Sequence, residues 1–187
     1  MEWIDQDDSQ PFDARQFRMA LGRFGTGVTV ITTRIGDHTH GMTANAFTSV
    51  SLTPPLVLVA VDNRAHMAKY IIMGRFFGVS ILAEHQLGLS DHFAGRGTGD
   101  MKVSFVTRRS MPLIEGALAY LILHVVQLVP AGDHTLVVGQ VDHLEIAEEG
   151  RPLLFYGGKY GRLASAETSP AQRSADDDFS LFSMGNY

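Results

Sequence analysis

Cysteine is absent from the 187 residues. That absence excludes disulfides, thiol catalysis, cysteine-held iron–sulfur clusters and cysteine-type zinc sites together, and it fits a reducing compartment. An excess of positive charge is missing too: 15 Lys and Arg stand against 20 Asp and Glu, a formal net charge of −5. A sequence-independent nucleic-acid binder needs a basic face, so no nucleic-acid partner is expected. The one tight basic pair, Arg108 and Arg109, reads as a solvated turn. Long apolar runs are also lacking. The longest, ALAYLILHVVQLV, is interrupted by His124 and Gln127 and falls short of the roughly 20 residues that cross a bilayer. The opening MEWIDQDDSQ is acidic and has no basic start before an apolar run, so no signal peptide is expected. The expectation is a cytoplasmic protein without a membrane partner.

What remains is ordinary globular material: 45% apolar and 19% charged residues, enough chain for one well-cored domain. There is no internal repeat. Asp13 to Phe24 predicts a helix, with Asp13 as cap, Gln16 as its capping-box partner and an apolar stripe of Phe17, Ala20, Leu21 and Phe24. Gly25 and Gly27 end it. VTVITTR (28–34) predicts a strand, IGDH a turn, and Thr39 begins the return strand. Leu56 to Val61, unbroken aliphatics, predicts a buried strand. Asn63 would cap a short helix over Ala65 to Met73. Phe76 to Leu82 predicts a strand and Glu84 to Phe93 a helix, followed by the glycine-rich loop AGRGTGD (94–100). Ala117 to Val129 and Leu136 to Ile146 predict long strands joined by PAGDH, and Pro152 to Tyr156 a last strand. The predicted fold class is mainly β with peripheral helices, a barrel closed on itself so that edges are not left bare. Three segments are expected: an N-terminal extension 1–12, a domain 13–163 and a polar C-terminal tail 164–187.

Candidate chemistry is sparse. His38 and His40 share a strand face, a spacing metals use, but no carboxylate follows at a useful distance, so no metal site is expected. His85 and His92 share a helix face with nothing to join them. No GxSxG elbow marks a hydrolase nucleophile. GRGTG (95–99) neither follows a strand nor opens a helix within a βαβ unit, which removes the Rossmann reading. It stays either a plain loop or a phosphate contact through Arg96. The stretch GMTANAFTSVSLTPPLVLVAV (41–61) is more unusual: a run of small hydroxyl and amide residues directly precedes an aliphatic segment. A polar strand face toward solvent accounts for it. So does a flat polar heterocycle lying against small residues and backbone N–H groups. Arg64 after the aliphatic strand, the GDH turn at His134 and the YGGKY segment are the company that favours a ligand.

Taken in order, FGTGVTVITT, GMTANAFTSVSLTPPLVLVAV, FFGVSIL, FAGRGTGDMKVSF, PLIEGALAYL, AGDHTLVVGQV and PLLFYGGKYGRL resemble the short-chain flavin reductases that supply reduced flavin to two-component monooxygenases. The resemblance runs from about Phe17 to Leu163. It implies an FMN-binding split β-barrel of Greek-key type, a homodimer, FMN or FAD as cofactor, NADH or NADPH as hydride donor, and a separate oxygenase component. It further implies that Thr43, Ala44, Asn45, Ser49, Val50 and Ser51 hold the isoalloxazine and ribityl chain. Asn63 and Arg64, with Arg96 and Lys102, would face the phosphate. His134 would sit by the nicotinamide, and Tyr156 and Tyr160 would help form the pyridine-nucleotide site. Relatives often carry Cys where this chain has YLILHVV, and Ser where it has Asn45. The bottom-up chemistry agrees: without thiols or metals, redox work falls to a borrowed cofactor. The protein's share is to hold nicotinamide C4 near flavin N5 at roughly 3–3.5 Å and to stabilise the reduced ring through backbone N–H groups. His134 is expected to orient the dinucleotide without being an obligatory acid or base. Two alternatives stay open: a reductase of cobalamin or an iron chelate on the same barrel, and a flavin-binding barrel without turnover. A pyridoxamine-phosphate oxidase fits the GDH and SVSLTPPL patterns less well.

Overall fold

The computed structural model describes residues 13–97 and 101–164. The expected extension 1–12, Thr98 to Asp100 of the glycine-rich loop, and the tail from 165 onward lie outside the described residues. Helix α1 (Ala14–Leu21) is capped by Asp13, whose Oδ1 accepts from the Arg15 amide at 3.1 Å. Twelve strands follow in chain order: β1 (Thr26–Gly27), β2 (Thr29–Ile35), β3 (His38–Ala44), β4 (Phe47–Leu52), β5 (Pro55–Asp62), β6 (Phe76–Ile81), β7 (Phe105–Arg108), β8 (Met111–Ile114), β9 (Ala119–Ala131), β10 (His134–Ile146), β11 (Leu154–Tyr156) and β12 (Lys159–Gly161). Between β6 and β7 a 3-10 turn, Glu84–Gln86, runs into α2 (Leu87–Phe93).

Seven strands form one antiparallel sheet in the order β3-β2-β6-β9-β10-β5-β4. Its outer strands, β3 and β4, are joined by only Asn45 and Ala46. In a flat sheet the two edges would stand about 29 Å apart, six strand spacings. Three residue steps reach about 11 Å at most, so the sheet must curl until its edges meet at this corner. Ala60 ties the corner to β5 by donating its amide to the Ala46 carbonyl at 3.0 Å. Strand β3 pairs with β2 and β4 with β5 but not with each other, which leaves the barrel split along that seam. The thirteen-residue strands β9 and β10 make the curl possible. Their ladder slips between Val138 and Gly139 and again between Val141 and His143, and such bulges increase local twist.

The barrel interior is aliphatic, with Ile31, Val59, Val79, Leu123, Val125 and Val137 all essentially inaccessible around Phe77. A second apolar cluster, Val28, Val30, Leu82, Ile114 and Leu153, lies outside the barrel wall, where Leu89 and Phe93 of α2 cover it. Strand β2 is therefore buried on both faces and reads as a continuous apolar and threonine run. Its hydroxyls remain satisfied: Thr32 Oγ1 donates to the Pro112 carbonyl and Thr29 Oγ1 to the Ala44 carbonyl at 2.7 Å.

Four expectations are corrected. The polar half of GMTANAFTSVSLTPPLVLVAV is two strands at opposite sheet edges, because the chain turns the barrel corner at Asn45 and Ala46. The stripe on α1 is not a core face: no residue of α1 is buried, and Met19, Leu21 and Phe24 lie open. Strand β5 alternates, with Val57, Val59 and Val61 inside and the intervening residues half-buried. The helix expected over Ala65 to Met73 is a single 3-10 turn, His66–Lys69, with no side-chain cap. Asn63 instead accepts from the Thr135 hydroxyl at 2.7 Å. The hairpin of β7 and β8 was not foreseen.

Candidate functional site

The barrel corner carries the most developed polar arrangement in the molecule. Strand β3 brings up Thr43, α2 brings Ser90 and Asp91, and β12 brings Tyr160. Thr43 Oγ1 donates to the Ser90 carbonyl at 2.7 Å. The Ser90 hydroxyl, fully buried, shares a 2.8 Å hydrogen bond with the Tyr160 phenol. That phenol also donates to Asp91 Oδ1 at 3.2 Å and accepts from Arg96 Nη2 at 2.6 Å. Arg96 Nε reaches Asp91 at 3.0 Å, a hydrogen bond that raises the guanidinium pKa further. The Tyr160 ring packs on the outer apolar cluster and stands edge-on to Phe155, with centroids 5.5 Å apart. Helix α2 approaches this closely because β3 offers Gly41 beneath it; a Cβ there would overlap the Phe93 ring.

Two hollows meet at the corner. One of about 150 Å³ is lined by Thr43, Asn45, Ser90, Arg96 and Tyr160 among others. The second, about 320 Å³, runs along Phe24 to Thr29, Asn45, Phe47 and Thr48. Val28 and Asn45 line both, so the two hollows adjoin, with these residues as their common wall. Asn45 Nδ2 is held toward β1 by Thr26 Oγ1 at 3.3 Å. The walls combine small residues and uncharged hydroxyl and amide groups with the aromatic rings of Phe24, Phe47, Phe155 and Tyr160, and one guanidinium stands at the edge. That donor set suits a flat polar ring with an anionic arm.

A second polar group gathers at the tip of the β9–β10 hairpin, next to the end of β5, where His134 pairs with Asp62 across the ladder. Arg64 forms a forked pair with Asp62 (Nη2 to Oδ2 2.8 Å, Nε to Oδ1 3.1 Å). This holds the Asp62 carboxyl well below the usual carboxylate range. Asp133 Oδ1 accepts from His134 Nδ1 at 2.7 Å, and that contact lowers the Asp133 pKa. Arg64 and Asp133 are exposed, and Asp62 and His134 are half-buried.

Of the residues expected from sequence, Thr43, Asn45, Arg96 and Tyr160 are brought together around one hollow. Ala44 is placed differently: its side chain is buried in the barrel core, so it offers the site only backbone. Ser49 and Val50 are exposed on β4, with Val50 the extra residue of a register slip between Ser49 and Ser51, and the Ser51 hydroxyl accepts from the Thr53 amide at 3.2 Å. Asn63, Arg64 and His134 belong to the hairpin-tip group. Lys102 is exposed, and Tyr156 lines a separate hollow beside α1. Ser90, Asp91 and Thr26 were missed. Nothing in LGLSDHF marks Ser90 as a junction, since its role depends on α2 lying over Gly41. Among the described residues no group of three or more His, Asp or Glu gathers for a metal. His40 packs against His66 and Tyr70, with centroids 5.0 and 5.6 Å away.

Comparison with known proteins gives this barrel its family. Residues 21–164 match the model described as a flavin reductase like domain. The chain is 52% identical over 149 residues to an NADH-dependent flavin reductase from a Rhodococcus species, covering 78% of this chain and 84% of that protein. It is 43% identical over 147 residues to the reductase component of 4-hydroxyphenylacetate 3-monooxygenase from Thermus thermophilus, covering 79% and 95%. Among solved structures, flavin reductase PheA2 in its native state matches with a TM-score of 0.79 at 47% identity, covering 82% of this chain and all of that one. The chain belongs to the flavin reductase family.

Proposed function

We propose that this chain is an NAD(P)H-dependent flavin reductase whose 13–163 unit reduces FMN or FAD and passes the reduced flavin to a separate oxygenase component in the cytoplasm. The observation that carries this reading is the pair of adjoining hollows at the barrel corner, sharing Asn45 and edged by the Arg96–Tyr160–Ser90 network. A flavin supplies the redox chemistry when bound, accepting a hydride from the dinucleotide.

The chain's own residues bind, orient and shield. Thr43 and Asn45 present uncharged groups to the ring, and the small residues Gly25 to Thr29 let it lie close to backbone. Arg96 and, across the corner, Arg64 supply charge for the phosphate arm, with Ser49, Val50, Ser51, Asn63 and Lys102 along its course. His134 positions the nicotinamide. Its Nδ1 is held by Asp133, which leaves Nε2 to meet the carboxamide. No proton transfer by His134 is required. Tyr156 offers ring and hydroxyl to the dinucleotide, and Tyr160, its hydroxyl shared by Ser90, Asp91 and Arg96, fixes the neighbouring wall of the pyridine-nucleotide site.

A homodimer completes the site in this reading. Phe24, which lines the larger hollow, is 77% exposed, and Leu52 on edge strand β4 is 87% exposed. Large apolar groups left open at a binding hollow favour coverage by a second copy. The NADH donor and the oxygenase partner are supported by what the Rhodococcus and Thermus relatives are named for.

The test is an assay of purified protein with NADH or NADPH and with FMN, FAD or riboflavin in turn, followed at the nicotinamide absorbance. Oxidation that needs an added flavin is expected; no oxidation with any pairing contradicts the reading.

A further inference from the structure

Beside α1 lies a third hollow, of about 550 Å³, which the flavin contacts do not use. Its wall carries four cations: Arg15 and Arg18 from α1, Arg23 just after it, and Lys159 from β12. Among the described residues no carboxylate lines it. Elsewhere, Arg64, Arg96, Arg108 and Arg151 are each held by an Asp or Glu. Among the described residues none of the four cations around this hollow forms an ion pair. Arg15 and Arg18 stand three apart on one side of a helix, a spacing at which like charges repel. In a chain of net charge −5, such a concentration focuses a local positive potential on whatever anion enters.

The hollow is built as well as charged. The Gly157 amide donates to the Gly22 carbonyl at 2.8 Å, fastening the β11–β12 turn to the end of α1. Gly157 and Gly158 take φ of 58° and 80°, which a side-chain-bearing residue adopts only with strain, so the turn stays open on this side. Arg23 Nη1 donates to the Tyr156 phenol at 3.4 Å, and that contact raises the guanidinium pKa. Tyr156 is also a shared wall. A Cβ on Gly25 would touch its ring at 3.8 Å, and Gly25 lines the hollow proposed for the flavin ring. The basic hollow and the flavin cradle therefore adjoin, separated by one half-exposed aromatic ring.

We propose that Arg15, Arg18, Arg23 and Lys159 form the seat for the diphosphate of the nicotinamide dinucleotide, with the nicotinamide end passing Tyr156 into the cradle. A dinucleotide diphosphate carries two negative charges on a short bridge between two flat groups. Several guanidinium forks around one open hollow match the charge, and the Tyr156 ring lies where a flat group must cross. An acidic peptide from a partner would also find the charge but has no use for the passage into the cradle. The proposal rests on the reductase reading, which supplies the dinucleotide.

The experiment compares wild type with Arg15→Ala/Arg18→Ala and with Lys159→Ala in steady-state NADH oxidation at saturating flavin. Competitive inhibition by ADP-ribose and turnover with reduced nicotinamide mononucleotide, which lacks the diphosphate bridge, are measured alongside. The expected result is a rise in KM for NADH of about tenfold in the double variant and severalfold in Lys159→Ala, on the scale of lost charge-assisted contacts. The ADP-ribose inhibition constant should rise by the same factor. The KM for flavin and turnover of the mononucleotide should move less than about twofold. An unchanged KM for NADH and unchanged ADP-ribose inhibition, in a wild type that turns over, overturn the proposal and leave the reductase reading standing. If wild type oxidises no NADH, the reductase reading fails, and calorimetric binding of ADP-ribose decides the hollow alone: binding lost in the double variant supports it, and no binding to wild type overturns it.

Discussion

Tyr160 and Arg64 both belong to the proposed ligand sites, yet the protein holds them in opposite ways. The Tyr160 hydroxyl sits in a network whose members come from three stretches remote in sequence: β3, α2 with the loop after it, and β12. Ser90 at its centre is inaccessible, and the Tyr160 ring is packed on an apolar cluster. Arg64 is held only by Asp62, two residues away and in solvent. The first arrangement is fixed by the fold before any ligand arrives. The second is local and easily exchanged, as an exposed ion pair contributes little to stability. The account therefore divides labour: the corner shapes the ring site, and the hairpin tip supplies charge and the histidine that meet mobile parts of the ligands.

The largest expected effect comes from unseating the packed side. Gly41→Val places atoms into the Phe93 ring and lifts α2 from β3. Overpacking of this kind costs about 1–3 kcal/mol, read as a lower denaturant midpoint, and flavin affinity should fall with it. Tyr160→Phe keeps the ring but strands the buried Ser90 hydroxyl and leaves Arg96 with Asp91 alone; leaving a buried polar group unsatisfied costs about 1–3 kcal/mol. An unchanged midpoint in Tyr160→Phe would mean that the corner is no more fixed than the tip.

On the exposed side the same measurements should separate. Arg64→Ala is expected to leave the denaturant midpoint within error while raising the apparent KM for the phosphate-bearing flavins severalfold, with riboflavin unaffected. His134→Ala should raise the KM for NADH and lower kcat by less than about tenfold; a fall in the 10²–10⁴ range typical of a lost general acid or base would give His134 a proton-transfer role instead. The smallest effect concerns acid. Burial, reinforced by His66, lowers the His40 pKa from its ordinary value of 6.5. A base whose pKa is depressed by folding binds protons more readily when unfolded. Its contribution is therefore intact above pH 6.5 and declines as pH falls from there toward the lower folded value. His40→Gln should flatten the dependence of Tm on pH in that window and leave it unchanged above.

Much of this was legible in the sequence, and the parts that were not share a cause. Strand and turn chemistry exposed most of the barrel: VTVITTR, IGDH and the GDH turn fall where the periodicity put them. The family motifs pointed to Thr43, Asn45, Arg96 and Tyr160, which the structure gathers around one hollow. The corner at Asn45 and Ala46 was hidden because two short strands and a two-residue link resemble one polar strand locally; only the sheet order separates them. Ala44 sat within the motif and pointed the other way, since neighbouring residues on a strand face opposite sides. Ser90 carried no signal, because its value lies in contacts with residues 47 and 70 positions distant. The stripe on α1 had helical periodicity, but period alone does not say whether a face meets its own core or another surface.

The central claim is that this barrel binds a flavin at its corner and lets NADH reduce it. Anaerobic mixing of protein, FMN or FAD, and NADH tests it most directly, with flavin and nicotinamide absorbance followed together. The account predicts that oxidised flavin bleaches as NADH disappears, in a one-to-one ratio, and that Tyr160→Phe slows the bleaching. Flavin absorbance that stays constant while NADH is present would contradict it.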